Sequence, residues 1–184
     1  LEPALYNFNV FNAFLQLAVE ASLLNYPIHI KFNTGLNRLG FYPKEIPKIL
    51  TALKQINQVK IQALFSHLAA SEDLEEEDFT TNQIMNFEKI VQQFNIHLGY
   101  APMLHILNTS GVVNYPNAQF DMVRIGIGLY GFGNDEKETA QLKNTHNLKS
   151  IISQIHHIEP GETVGYNRAF KAQEATKTAT IPVG

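Results

Sequence analysis

The chain of 184 residues contains no cysteine. It therefore builds no disulfide and runs no thiolate chemistry, and a cytoplasmic protein is the default expectation. No apolar run reaches membrane-spanning length, and the opening "LEPALYNFNVF" has no charged leader followed by an apolar stretch. A surplus of one charge is also missing. Fourteen Lys and Arg against seventeen Asp and Glu leave a net charge of −3. With the basic residues scattered, neither a nucleic acid nor a membrane surface is expected as a partner. None of the seven histidines falls at a metal-ligand spacing, so no metal is expected. What is present is apolar material, 45% of the chain, enough for an ordinary packed core.

Two periodicities alternate along the first two-thirds of the chain. "VFNAFLQLAVEASLL" reads as a helix and "PIHIKF" as a strand. After the loop "NTGLNRLGFYP", Pro43 suits a first helical turn, and Ile46, Ile49, Leu50, Leu53 and Ile56 then recur at helical spacing. "VKIQALFSHLAA" is a second strand. The acidic "SEDLEEEDFTT", read as a solvated loop, leads into a helix with Ile84, Phe87, Val91 and Phe94 on one face. "MLHILNTSGVV" and "FDMVRIGIGLYGF" supply a third and a fourth strand. This βαβα order favours a parallel sheet covered by helices. The strand ends carry the polar residues Lys31, His67, Asn108 and Arg124. A β/α barrel and an open doubly wound sheet both place ligands there, so position alone does not separate them.

The pattern changes at the polar stretch 133–147, which reads as a linker. "LKSIISQIHHIEPGETVGYNRAFKAQ" then alternates at period two on both sides of "EPGE", where Pro-Gly suits a type II turn, and "TKTATIPV" alternates as well. The expected architecture is α/β: a partial (β/α)8 barrel over residues 1–140, then the start of a β-rich domain over 148–184.

Within "HIKFNTGLNRLGF", Lys31 and Arg38 are either two surface cations flanking a loop or parts of an anion site. A lysine inside or at the rim of a sheet must find a partner or lose its charge. His67 in "LFSHLAA" and His105 in "MLHILN" lie amid apolar residues, where a hydrogen-bonded core histidine is the ordinary alternative. The adjacent His156 and His157 face opposite sides of a strand. "NTSG" (Asn108 to Gly111) and "RIGIG" (Arg124 to Gly128) combine hydroxyls with glycine-freed backbone N–H groups after strands, which suits a phosphate cradle.

Five segments, "HIKFNTGLNRLGF", "LFSHLAASED", "LHILNTSGVV", "FDMVRIGIGLYG" and "GETVGYNRAF", taken in this order, resemble alanine racemase. That family comprises pyridoxal-phosphate enzymes with an N-terminal β/α barrel and a C-terminal β domain. The resemblance implies pyridoxal 5'-phosphate as cofactor, alanine as small-molecule substrate, and a role in peptidoglycan synthesis. It implies that Lys31 is the lysine carbamylated in many members and that, as a carbamate, it aims Arg38 at the phenolic oxygen of the cofactor. His67 would lie against the cofactor and hydrogen-bond the catalytic tyrosine. Thr109, with the backbone of Gly126 and Ile127, would hold the phosphate, and Asn108 is a further cofactor-binding residue; the family commonly has serine where Thr109 stands. Arg124 would face the pyridine nitrogen with His105 behind it, making the ring a weaker electron sink. Tyr166 would be one of two proton-transfer bases, reaching across a homodimer interface. A free tyrosine titrates at about pH 10, so His67 and nearby arginines would have to stabilise its phenolate.

The family's lysine motif near "KANAYGHG", which carries the second base, is missing from this sequence. A barrel alone takes about 250 residues. The chain therefore reads as a middle fragment, expected to be inactive by itself, of a longer protein, one form of which is fused to a peptidoglycan-precursor ligase. Three other readings are a barrel-only pyridoxal-phosphate carrier, a barrel-type decarboxylase or aldolase, and a unit for folding or dimerisation. Tyr166 and its β segment speak against the carrier. Arg124 speaks against most of the other enzymes.

Overall fold

A computed structural model describes residues 1–183. Residues 1–145 and 146–183 fall into two compact units. In the first, four parallel strands pair in chain order: β1 (Ala4–Leu5), β2 (Tyr26–Lys31), β3 (Val59–Phe65) and β4 (Met103–His105). The helices α1 (Phe8–Glu20), α2 (Ile46–Lys54) and α3 (Glu77–Leu98) lie between them in sequence. A doubly wound sheet reverses its strand order at a switch point, whereas an arc of barrel staves does not. The order here never reverses, and the fold is a partial β/α barrel.

Each helix forms where its apolar positions make a stripe. In α3 the buried positions are Thr80, Gln83, Phe87, Ile90, Val91 and Phe94. Its left-handed terminator, Gly99 at φ +68°, ends it without a Cβ penalty. The core joins this stripe to Ile28 and Ile30 from β2, to Phe32 just after it, and to Phe11 of α1 and Phe41. Phe32 meets Phe94 edge-on at 5.5 Å, and Phe11 meets Phe41 at 6.0 Å. Such pairs add about 0.5–1.5 kcal/mol beyond the area they bury.

Several sequence readings are corrected. β1 is short enough to have escaped periodicity. "FDMVRIGIGLYGF" is not a strand: Phe120 and Asp121 lie in a turn, residues 122–126 join no ladder, and Ile127–Tyr130 turn as a 3-10 helix. Backbone N–H groups of Asp121 and Arg124 donate to Leu104 and Leu107 carbonyls. The Leu104 N–H, however, goes to the Asp121 carboxylate at 2.8 Å, so a side chain replaces the return rung of the ladder. The acidic run is no loop. Asp73 accepts from the Glu75 N–H, and Glu77 and Asp78 occupy the first turn of α3, where the helix dipole favours carboxylates. The polar stretch at 133–147 carries a short helix, α5 (Glu136–Thr139), after α4 (Thr109–Asn114). Asp135 caps α5, and the Asn134 amide donates to Ser110.

In the second unit, β5 (Gln154–Ile158) pairs antiparallel with β8 (Thr176–Thr180), and β6 (Thr163–Val164) with β7 (Phe170–Lys171). Glu159–Glu162 forms the turn, with Gly161 at φ +91° and the Glu162 N–H donating to the Glu159 carbonyl. The two strands flanking that turn pair elsewhere, β5 with β8 and β6 with β7.

Candidate active site

The register of β2, β3 and β4 puts Lys31, Phe65 and His105 side by side at the C-terminal ends of their strands. Phe65 is the plate on which charged groups lie. The His105 ring stacks on it at 4.7 Å and 15°, the Arg124 guanidinium carbon lies 5.4 Å from its centroid, and Lys31 Nζ 5.9 Å.

Arg124 organises the middle of this group. Its Nη2 donates to the Ser66 carbonyl at 2.7 Å, to His67 Nδ1 at 3.0 Å and to the Ile106 carbonyl at 3.3 Å; its Nη1 donates to His105 Nδ1. A guanidinium has no lone pair to offer, so both histidines must accept at Nδ1 and carry their proton at Nε2. Burial, and then the Arg124 charge, push His67 down to about 4 and His105 to about 3. Both rings are therefore neutral near pH 7. His105 Nε2 is buried without a hydrogen-bond partner among the described residues.

Lys31 is 8% exposed. Among the described residues no carboxylate comes within ion-pair distance of it. Burial first, then the charges of Arg38 and Arg124, hold its ammonium below the usual lysine range. The loop after β2 is knit by Asn33, whose Oδ1 accepts from the N–H groups of Gly35 (3.1 Å) and Asn37 (3.0 Å). It closes where the Phe41 N–H donates to the Lys31 carbonyl, bringing Arg38 back toward the strand end.

Beside Arg124 opens a hollow of about 390 Å³ lined by His67, Asn108, Thr109, Arg124, Gly126 and Ile127, among others. Thr109 Oγ1 accepts from the Gly126 N–H at 2.9 Å and the Gly128 N–H at 3.3 Å. A Cβ on Gly128 would fall 2.6 Å from Thr109 Cγ2, so the backbone can lie this close to the threonine only as glycine. Asn108 caps α4 through the Gly111 N–H and receives the Ser71 hydroxyl at 2.7 Å.

Of the residues singled out in the sequence, His67, Asn108, Thr109, Arg124, Gly126 and Ile127 share this hollow, and His105 stands behind Arg124. Arg38 does not line it; it is exposed and reaches Lys31 and His67 through its charge. Tyr166 lies in the second unit, fully exposed, on a 3-10 turn rather than a strand. Asn167 and Arg168 beside it both adopt positive φ. Sequence reasoning missed Phe65, Ser66 and Gln83. Only Gln83 left a signal, as a polar residue on the apolar stripe of α3.

The donor set suits a phosphorylated aromatic ring. The Thr109 hydroxyl, the Gly126 N–H that donates to it, and the guanidinium that bridges two histidines all line the hollow. Glu72, exposed, is the carboxylate on its lining. Among the described residues no group of three or more His, Cys, Asp or Glu is placed to hold a metal ion, and no helix is long and apolar enough to cross a membrane.

Comparison with known proteins places this geometry. A family model described as alanine racemase, N-terminal domain, matches residues 1–134, and one described as alanine racemase, C-terminal domain, matches 145–184. The alanine racemase of Fusobacterium nucleatum subsp. nucleatum is 35% identical over 173 residues, covering 92% of this chain and 47% of that protein. The crystal structure of alanine racemase from Streptomyces lavendulae superposes with a TM-score of 0.85 at 22% identity, over 98% of this chain and 49% of that one. The enzyme from Bartonella henselae, solved with covalently bound pyridoxal phosphate, gives 0.76 at 25% identity, over 100% and 49%. The chain spans about half the length of the curated relatives it matches.

Proposed function

The chain belongs to the alanine racemase family, and from that premise we propose that the protein containing it interconverts L- and D-alanine with pyridoxal phosphate. The D-alanine would serve peptidoglycan synthesis. The observation that carries this reading is the hollow shared by Thr109, the Gly126 N–H and the Arg124 guanidinium. It offers hydroxyl and amide donors to a phosphate and a fixed cation to a ring nitrogen. When bound, the cofactor supplies the electron sink that makes the substrate Cα–H acidic.

The residues of this chain then have distinct tasks. Thr109, Asn108, Gly126 and Ile127 bind and orient the phosphate. Arg124 would face the pyridine nitrogen, held there by its bonds to two histidines and two carbonyls; a guanidinium, far more basic than a pyridine, would not give that nitrogen its proton. Held as a cation, Arg124 would disfavour protonation of that nitrogen and so limit side reactions. His67, neutral with its proton on Nε2, donates to the phenolate oxygen of Tyr166 from a second copy of the chain. That oxygen takes the Cα proton on one face or returns it. A lysine borne by a motif not found in these 184 residues serves the opposite face, so this chain alone is expected not to racemise.

Lys31 is proposed to be carbamylated. Burial and two neighbouring guanidiniums favour its neutral amine, which attacks CO2 at carbon; the new N–C bond forms as the amine proton leaves to solvent. The resulting anion answers the cluster of cations and aims Arg38. An intact mass one CO2 heavier, localised to Lys31, is the expected result.

The direct test of the reaction is Tyr166→Phe in the full-length protein. Loss of one positioned base should slow racemisation by about 10²–10⁴-fold while cofactor absorbance persists. Loss of the bound cofactor instead would give Tyr166 a structural role.

A further inference from the structure

Gln83 is polar, sits on the apolar stripe of α3 and is 1% exposed. Every polar atom of its amide is in use, and its partners lie on two different loops. Its Oε1 accepts from the Ala69 N–H at 2.9 Å, and its Nε2 donates to the His67 carbonyl at 3.3 Å. The same Nε2 donates to Thr34 Oγ1 at 3.4 Å, on the loop after β2. Thr34 in turn shares a hydrogen bond of 2.8 Å with the Ser66 hydroxyl, which donates to the Phe32 carbonyl at 2.8 Å. The Ser66 carbonyl is the acceptor held by Arg124. Gly35 completes the fit: with φ at +147°, a Cβ there would stand 3.0 Å from Phe79 and 3.2 Å from Gln83, so the loop rests directly on α3.

A leucine of similar size would fill this place without burying polar atoms that must all be satisfied. The amide instead joins the ends of β2 and β3 just where they deliver Lys31 and His67. We infer that Gln83 is a positioning residue: from outside the hollow it latches the loop after β2 to the loop after β3 and fixes the depth at which His67 stands beside Arg124. This rests on the reading of the hollow as the racemase site. The latch itself is geometric and can be judged without turnover.

The test uses the full-length protein and reads the His67 ring by NMR titration. The charges that act on His67 are those of Arg124, Arg38 and Lys31, the last a cation only until it is carbamylated, and Glu72 lines the same hollow. With the latch closed the ring titrates at about 4. In Gln83→Leu the loop loses its hold and the ring gains water, so the titration should move up toward the ordinary value of about 6.5. Thr34→Val, which removes only the shared hydroxyl, should move it in the same direction by less, and Thr34→Ser should leave it in place. If Gln83→Leu does not fold, Thr34→Val against Thr34→Ser decides alone. A His67 titration that stays at about 4 in every folded variant, even one that has lost stability, would overturn the latch and leave Gln83 a core residue. Racemase assays of the unaltered protein judge the function separately.

Discussion

The parallel sheet has a cavity at each end, and the two differ less in charge than in burial. At the N-terminal ends of β2 and β3 a cavity of about 480 Å³ is lined by Lys54, Lys60, His97 and Tyr100 among others, with no carboxylate. Its lysines and histidine are exposed, and Lys60 Nζ rests 4.8 Å from the Tyr100 ring centroid. At the C-terminal ends the smaller hollow is lined by His67 and Arg124, both half-buried, and the buried Lys31 and His105 gather with Arg124 around the Phe65 ring. Cations in water cost the fold little, can leave their positions, and exert a screened field. Cations inside must be held by a network, and a network holds geometry. Cavity volume and count of basic residues both favour the N-terminal end, and the held network favours the other.

Replacing the residue that organises the inner network should have the largest effect. Arg124→Met leaves the Ser66 and Ile106 carbonyls and two ring nitrogens without their donor; an unsatisfied buried group costs about 1–3 kcal/mol. Chemical denaturation should show a loss of that order. The same variant should raise the titrations of both His67 and His105, although both should stay below the ordinary histidine value, because burial is the larger cause. A return of either to that value would mean that Arg124, not desolvation, dominates.

The second effect is on pH. Both histidines titrate lower folded than unfolded, so the unfolded chain binds more protons as soon as pH drops below about 6.5. The stability they contribute as neutral rings is complete above that pH. It is lost as pH falls, through about 4 for His67 and about 3 for His105. His67→Gln should flatten part of the acid limb of a stability-against-pH curve. An unchanged limb would break the claim that this end of the sheet is the buried one.

The smallest effect is at the other end. Lys60→Met and Lys54→Met alter exposed side chains, and each should change stability by no more than about 0.5 kcal/mol and leave pyridoxal-phosphate affinity unaltered. A clear loss of affinity in either would erase the distinction between the two cavities.

The helices α1, α2 and α3 and the strands β2, β3 and β4 were legible because their stripes and alternations are local, whereas the short α4 and α5 carry no such stripe. The segment 121–124 was not: its apolar alternation is that of a strand, but the Asp121 carboxylate takes a rung that only the folded partner can reveal. The residues around the hollow could be named from their motifs, since each follows a strand. How they are held could not. Phe65 becomes the plate only through the register that aligns it with Lys31 and His105, and Gln83 becomes a latch only once two loops distant in sequence descend on α3. For Arg38 the motif left two readings open, a surface cation or part of an anion site, and only the folded loop shows its side chain exposed and outside the lining of the hollow.

A crystal structure of the full-length protein grown with pyridoxal phosphate tests the central claim most directly. The account predicts the phosphate against the Thr109 hydroxyl and the Gly126 N–H, with the ring nitrogen turned to Arg124. Cofactor density in the cavity of Lys54 and Lys60, or a ring nitrogen facing away from Arg124, would contradict it.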